Sequence, residues 1–418
     1  MSTTADLLPI TETIEPADRG ELLAAVRDAC AAETAIYPIG GGTSLDFGLP
    51  AHEAGIGLSL ARLDDVIDYP ARDMTITLEA GVTMADLART LSAQGQRLPI
   101  DVPRADQATL GGVVATNFSG ARRYGSGTIR DYVIGIEAVD GRGTPFQGGG
   151  RVVKNVAGYD FCKLLTGSLG TLGVIARLTL KLRPLPERSS LLACRVADWP
   201  HADRLLASLV DFPTPPAAIE LLAGPAWQDD PALANIPPTA GSAGPWLVVG
   251  LEGTEPEVDW MTDQLAAQWR SQAVGDSKSI GGEEAERLWG RLADFPAEGE
   301  SPLAIKATVL PSATTRFIQT ALEVDPGCSI QAHAGNGIVL MKFSEFPPAG
   351  LSRALTGKLR PAATSAQGNL IVLSNPKQVE VTHQSVWGGI SAPLSLMARV
   401  KKQFDPKNLL NRDRFIYP

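Results

Sequence analysis

A chain of 418 residues is too long for one typical core, so two or more domains are expected. Hydrophobic residues make up 44% and charged residues 20%, the balance of a globular enzyme, and the net charge of −9 argues against a nucleic-acid binder and against electrostatic docking on anionic lipid. Cys30, Cys162, Cys194 and Cys328 form no CxxC pair, which excludes a zinc site, an iron–sulfur ligand set and a disulfide framework and leaves reduced thiols in a cytoplasmic protein.

The N-terminal MSTTADLLPITETIEP lacks a basic region followed by a long apolar one, so no signal peptide is expected, and no apolar run approaches the roughly 18 residues of a membrane span. Residues 16–32 place Leu22, Leu23, Val26, Ala29 and Cys30 at helical spacing, with Pro16 near the start. A strand, IYPI, then runs into Gly40, Gly41 and Gly42, and AGIGLSL (54–60) and TITLEAG (75–81) read as further strands. VTMADLARTLSAQG (82–95) reads as a helix capped by Thr83, with Gly95 after its end. VIGIEAVDGRG (133–143) is a strand closing in an Asp-Gly turn, and LGVIARLTLKLRPLP (172–186) is a long strand ended by Pro184 and Pro186. Residues 190–375 alternate twice as β-α-β-β-α-β, the pattern of a duplicated ferredoxin-like sheet. The Pro- and Gly-rich stretches 224–245 and 294–302 read as surface loops, and EEAERLWGRLADF (283–295) as an amphipathic helix packed on its apolar face.

The glycine run in IYPIGGGTSLDFG can hold an anion or be a plain turn. A dinucleotide fingerprint needs G-x-G-x-x-G opening into a helix, but Leu45 stands in the third glycine's place and a strand follows. A Walker loop needs a lysine, and none is near. Successive glycines can still turn their N–H groups into one concavity that binds phosphate without a lysine, with Thr43 and Ser44 adding hydroxyls. Two more small-residue loops, ATLGGVVATNFSG (108–120) and TGSLGTLGVI (166–175), carry hydroxyl or amide groups as well, and three such loops fit an extended ligand such as a dinucleotide.

YPIGGGTS, DVPRADQATLGGVVATNFSG and GSLGTLGVI, in that order over roughly residues 15–185, resemble the FAD-binding domain of the vanillyl-alcohol-oxidase (p-cresol-methylhydroxylase-type, PCMH) flavoproteins. VVKNVAGYDFCKLLTGSLGTLGVI (152–175) and FDPKNLLN (404–411) look like the glycolate-oxidase group of that family, its FAD-binding E subunits more than its D subunits and D-lactate dehydrogenases. The resemblance implies a two-domain α+β fold: 1–186 binding FAD, 187–390 as a ferredoxin-like cap on the substrate side, and 391–418 returning to the FAD domain. It also implies cofactor contacts. Pro38, Ile39, Gly40, Gly41, Gly42, Thr43 and Ser44 would take the pyrophosphate, and Pro103, Thr109, Leu110, Gly111, Gly112, Thr116, Asn117, Phe118, Ser119 and Arg122 would line the ribityl and flavin. Gly170, Gly173 and Ile175 would meet the adenine or flavin edge. Thr43 stands where some relatives attach FAD through a histidine, so FAD is expected to be non-covalent.

The implied activity is flavin-mediated oxidation of a small 2-hydroxy acid, with a D-type FAD-linked catalytic subunit and an iron–sulfur subunit as partners, and with the complex cytoplasmic or peripheral to the inner membrane. No metal is expected. HAGNGIVL (333–340) keeps His333, Gly335 and Gly337 of the family's H-x-G-D-G-N-x-H motif, but Asn336, Ile338 and Leu340 replace the other polar residues, and an apolar Leu ligates nothing. His333 is then either structural or retained beside the flavin. Arg122 and Arg123 could bind a carboxylate or be a surface pair; Lys154, Asn155, Tyr159 and Asp160 could touch FAD or a partner, or hold the loop; His383 and Trp387 are weaker candidates. A self-sufficient dehydrogenase and a flavin-holding scaffold without catalysis are the alternatives.

Overall fold

The computed structural model describes residues 7–151, 158–239, 244–348, 350–389 and 393–415. The chain divides into two compact units: unit 1 is Met1–Ser119, Gly127–Leu185 and Ile390–Pro418, and unit 2 is Gly120–Ser126 and Pro186–Gly389.

Unit 1 begins with β1 (Ile10–Ile14), α1 (Arg19–Ala32) and β2 (Ala35–Ile39), followed by β3 (Gly55–Ser59), which pairs in parallel with both strands. Asp18 caps α1 through the Glu21 N–H, while Glu21 reaches back to the Ala17 N–H, so two orphan amides are satisfied reciprocally. Leu22, Ala25, Val26 and Ala29 form the buried stripe of α1, and the expected Leu23 and Cys30 lie at its margin. A second sheet is antiparallel, in the order β4 (Val66–Asp68), β5 (Thr75–Glu79), β9 (Val174–Lys181), β7 (Val133–Val139), β8 (Pro145–Gly149). Between these strands lie α2 (Met84–Ser92), β6 (Gln96–Arg97), α3 (Leu110–Thr116) and α4 (Phe161–Leu165), and β10 (Arg183–Pro184) pairs with β6. Thr83 caps α2 by accepting from the Asp86 N–H, and Gly95 follows in the left-handed region, φ 65°.

Unit 2 is one eight-stranded antiparallel sheet built from two β-α-β-β-α-β runs. The first comprises β11 (Arg188–Arg195), α5 (Trp199–Val210), β12 (Ala218–Ala223), β13 (Trp246–Gly253), α6 (Glu255–Ser271) and β14 (Ser277–Ile280). After α7 (Gly282–Asp294), the second comprises β15 (Ala304–Thr308), α8 (Thr314–Val324), β16 (Ser329–His333), β17 (Ile338–Lys342), a helix that passes through a π-helical stretch (Leu355–Leu359) into α9 (Arg360–Ser365), and β18 (Asn369–Ser374). The sheet order β14-β11-β13-β12-β16-β17-β15-β18 is the ferredoxin-like order 4-1-3-2 followed by its mirror, joined where β12 pairs with β16. The duplication expected from the alternation is therefore present. The two halves share one sheet because each contributes its second strand to the seam.

Ala285, Leu288, Trp289 and Leu292 of α7 are buried in the core of unit 2. The stretch from 224, expected as a surface loop, also belongs to that core: Trp227 and Leu233 are fully buried and Ile236 nearly so. Its Pro and Gly content marks turns between buried anchors, and composition alone does not separate the two cases. Phe295, in the other expected surface loop, stacks on Trp227 and is likewise buried. The last helix, α10 (Leu394–Phe404), and the segment after it belong to unit 1, where Leu410 bridges Ile36 beside β2. Among the described residues, no helix is long and apolar enough to cross a membrane.

Candidate functional site

The three small-residue loops of unit 1 are neighbours. A Cβ on Gly41 would lie 1.6 Å from the Gln107 carbonyl oxygen, and one on Gly40 would lie 2.0 Å from Thr109 Oγ1, so the first loop packs on the second only because both residues are glycine. Gly42 takes a left-handed φ of 69°. In this path none of the N–H groups of Gly40, Gly41, Gly42, Thr43 and Ser44 donates to an acceptor among the described residues. Five successive amides thus face outward and can take an anionic ligand.

The second loop is fastened to the corner after β5. Leu110 N donates to Val82 O and Gly111 N to Ala80 O, and Gly111 sits so close to Ala80 that a Cβ would meet it at 2.8 Å. Leu110 is fully buried and Phe118 half-buried against the core, so these two residues of the expected site pack the loop. α3 ends at Asn117, φ 53°. The third loop crosses that end, with Gly167 N donating to Val114 O and Leu169 N to Ala115 O. Thr109 Oγ1, Asn117 Oδ1 and Ser168 Oγ are buried without a hydrogen-bond partner. Each such atom costs about 1–3 kcal/mol if nothing partners it, and the three lie beside the five open amides, where a ligand could partner them together. The donors suit phosphate oxygens, and the Asn117 oxygen suits a ring N–H.

Other expected site residues are occupied locally. Thr116 Oγ1 donates to the Gly112 carbonyl at 2.9 Å, and Ser119 Oγ accepts from the Ile129 N–H at 3.3 Å. Ile175 lies inside β9 with its backbone paired to Ala138, and Gly173 packs near the Val139 carbonyl. Thr43 O accepts from Arg104 at 3.4 Å, while Pro103 is partly buried in the turn before it. Arg122 lies in unit 2, where its guanidinium pairs with Glu252 at 2.7 Å and stacks on Trp289 at 3.7 Å from the ring centroid. Tyr159 is exposed, Asp160 caps α4, and Lys154 and Asn155 lie outside the described residues.

The C-terminal segment carries polar side chains that sequence reasoning passed over. Lys401 is fully buried and donates to Thr171 O (2.8 Å), Leu410 O (2.9 Å) and Asp405 Oδ2 (2.5 Å). Burial pulls its ammonium down in pKa, and the Asp405 carboxylate opposes that pull. Asn411 Nδ2 donates to the Leu169 carbonyl at 2.6 Å, inside the third loop. Arg414 donates to Leu49 O at 3.0 Å, to Phe47 O at 3.1 Å and to Leu45 O, all at the exit of the first loop. Burial lowers the pKa of this guanidinium to about 10, against the opposing charges of Asp46 and Tyr37. A lysine four residues before an aspartate was the available signal in the sequence, but its meaning depends on partners more than 200 residues away.

Unit 2 holds a charged cluster at the seam. Glu220 and His333 are register partners across β12 and β16; His333 Nδ1 lies 2.8 Å from Glu220 Oε1, and both side chains are buried. Gln331 donates to Glu220 Oε2 at 2.9 Å and to the Leu292 carbonyl of α7 at 3.0 Å. The ladder places Lys306, Gln331, His333 and Glu220 on one face of the sheet. Burial first, and the neighbouring Arg123 second, pull the Lys306 ammonium down to about 8. Leu340 on the same face belongs to the apolar core, and the Asn336 side-chain oxygen is buried without a partner. Trp387 is buried too, its carbonyl accepting from Asn369. Among the described residues, no three His, Cys, Asp or Glu side chains converge as a metal site. Cys162, Cys194 and Cys328 are buried and their thiols raised, Cys162 to about 11, so they are not poised as nucleophiles.

Residues 11–148 match the family model described as an FAD binding domain. Over 403 residues, 90% of this chain and 82% of the relative, the chain is 27% identical to glycolate oxidase subunit GlcD of Bacillus subtilis (strain 168). It is 26% identical over 403 residues to the mitochondrial cytochrome D-lactate dehydrogenase of Arabidopsis thaliana, covering 92% of this chain and 69% of the relative. Its match to glycolate oxidase subunit GlcE of Escherichia coli (strain K12), 34% identical over 169 residues, is confined to 40% of this chain and 48% of that protein. Among solved structures, alkyldihydroxyacetonephosphate synthase shares the fold at a TM-score of 0.66 and 17% identity, covering 96% of this chain and 76% of that one. The chain has a PCMH-type FAD-binding fold and homology to glycolate oxidase subunits and D-lactate dehydrogenases, and it is an FAD-dependent oxidoreductase.

Proposed function

We propose that the chain oxidises small 2-hydroxy acids such as glycolate or D-lactate as the FAD-binding subunit of a glycolate-oxidase-type complex. A D-type FAD-linked subunit and an iron–sulfur subunit are its partners, and the complex is cytoplasmic or held at the inner membrane through them. The observation that carries the reading is the set of five open amides beside the unpartnered Thr109, Asn117 and Ser168. In it, Gly40–Ser44 hold the pyrophosphate by N–H groups, without a covalent bond at Thr43. Thr109, Asn117, Ser168 and the backbone of Gly111, Gly112 and Gly170 line the rest. When bound, FAD supplies a two-electron acceptor.

In this reading unit 2 supplies the substrate-side groups. Lys306 is a half-buried cation on the same sheet face as the His333–Glu220 pair, the kind of environment in which a carboxylate is bound strongly. Glu220 engages His333 Nδ1, which orients the ring and leaves Nε2 as the nitrogen able to take a proton. These groups, together with a D-lactate dehydrogenase matched over 69% of its length, favour a second reading in which the chain works as a self-sufficient D-2-hydroxyacid dehydrogenase.

Anaerobic addition of glycolate or D-lactate to the purified yellow chain, alone and with its co-expressed partners, decides between them. Bleaching that requires the partners supports the subunit, and bleaching by the lone chain establishes the dehydrogenase. A chain that carries no flavin would sink both.

A further inference from the structure

We propose that the segment from Lys401 to Arg414 is a clasp that completes the FAD site, with Asn411 and Arg414 as positioning residues for the cofactor. The contacts reach both ends of the first loop and the middle of the third. At the entry to the first loop, Ile36 N donates to Leu409 O at 2.8 Å and Asn411 N to Ile36 O at 2.9 Å. At its exit, Leu49 N donates to Arg414 O at 2.9 Å, and the Arg414 guanidinium gathers the carbonyls of Leu45, Phe47 and Leu49. Three carbonyls turned onto one guanidinium fix the orientation of the peptide units that follow the glycines.

At the third loop, Asn411 holds the Leu169 carbonyl, and Leu169 itself takes a left-handed φ of 54°, a conformation a leucine does not choose unaided. Gly170, next along, would place a Cβ 3.0 Å from Asn411 Nδ2 and 3.6 Å from Pro38. Asn411 therefore sits where the third loop and the strand leading into the first come together. Beneath it, Lys401 ties Thr171 to Leu410, and Asp405 accepts the N–H groups of Leu409 and Leu410 at 2.9 and 2.7 Å. No ligand contact by Asn411 or Arg414 is needed. Both act through loop backbone, so the amides of the first loop and the Ser168 hydroxyl are in place before FAD arrives. The loops are therefore fully set only when residues 401–414 are docked.

The inference rests on the reading that these loops bind FAD, and the test separates the two. Apoprotein of the full chain is titrated with FAD by flavin fluorescence, and its thermal midpoint is measured with and without FAD, for N411G, R414M, R414K and the loop variant G41V. Asn411 has a φ of 42°, so glycine keeps its backbone and removes only the amide. N411G and R414M are expected to weaken FAD about tenfold each while shifting the apoprotein midpoint by less than ~3 °C, and R414K is expected to recover part of the loss. Unchanged FAD affinity in N411G, or equal destabilisation of apoprotein and holoprotein in R414M, overturns the clasp. Should R414M not fold, N411G decides alone. If G41V binds FAD as tightly as the parent, the loop assignment itself fails and the clasp with it.

Discussion

In the proposed reading unit 1 offers its cofactor neutral groups, namely the amides of Gly40–Ser44 and the side chains of Thr109, Asn117 and Ser168, whereas the groups proposed for the substrate in unit 2 are charged or titratable: Lys306 and the His333–Glu220 pair. Neutral donors bind an anion by their geometry, because each contributes little unless all converge, so a small backbone shift undoes the set. Charges act over longer distances and respond to pH and salt. A cofactor that stays bound through many turnovers suits the first arrangement. A substrate that must enter, react and leave suits the second.

The comparison breaks most visibly at Gly41. Valine there would drive a side chain into the Gln107 carbonyl and push the first loop off the second. G41V is expected to weaken FAD by at least roughly a hundredfold, read as loss of the flavin absorbance on purification. Retention of full flavin content would refute the geometric account of unit 1.

A smaller and different effect is expected at Lys306. K306M should keep its flavin and raise KM for a 2-hydroxy acid about ten- to hundredfold, the cost of one lost charge-assisted hydrogen bond. With its pKa near 8, Lys306 gives up its proton as pH rises past that value, so kcat/KM for an anionic substrate should fall above about pH 8, and K306M should lack that limb. Stability has the opposite sign. Between about pH 8 and the ordinary lysine value of 10.5 the unfolded chain binds the extra proton, so the parent gains stability with rising pH there and the variant does not. A KM that is unchanged in K306M across pH would remove the substrate role of this cluster.

Local physics made much of this legible in the sequence. The Asp18 and Thr83 caps, the buried stripe of α1 and the doubled β-α-β-β-α-β alternation depend on residues a few positions apart. The three loops were legible because glycine and small polar residues have few other uses in that density. What stayed hidden depends on register and on distant partners. Glu220 meets His333 only because the two halves of the sheet join in one particular register at the seam, 113 residues apart in the chain. Arg122 follows a loop expected beside the flavin, yet its guanidinium is held by Glu252, 130 residues on. Arg414 reaches back more than 360 residues to the first loop, and no spacing rule connects them.

The finest test of the contrast is at Ser168, where loss of one neutral hydroxyl should move two measurements in opposite directions. Ser168 is 4% exposed, and its Oγ has no partner. Its backbone is already secured, with the N–H donating to Leu165 O at 3.1 Å and the carbonyl accepting from Thr171 Oγ1 at 2.7 Å, so alanine leaves the loop's own hydrogen bonds untouched. Removing an unsatisfied buried hydroxyl should leave the apoprotein as stable as the parent or up to about 1 kcal/mol more stable. In the proposed site the same hydroxyl partners FAD, so S168A should bind FAD roughly fivefold more weakly, about 1 kcal/mol, and the loss should hardly change between low and high salt because no charge is removed. Thermal melts with and without FAD measure both terms in one experiment. A lower apoprotein midpoint would mean that Ser168 serves the loop rather than the ligand, and a salt-dependent loss would mean that unit 1 holds its cofactor with charges after all.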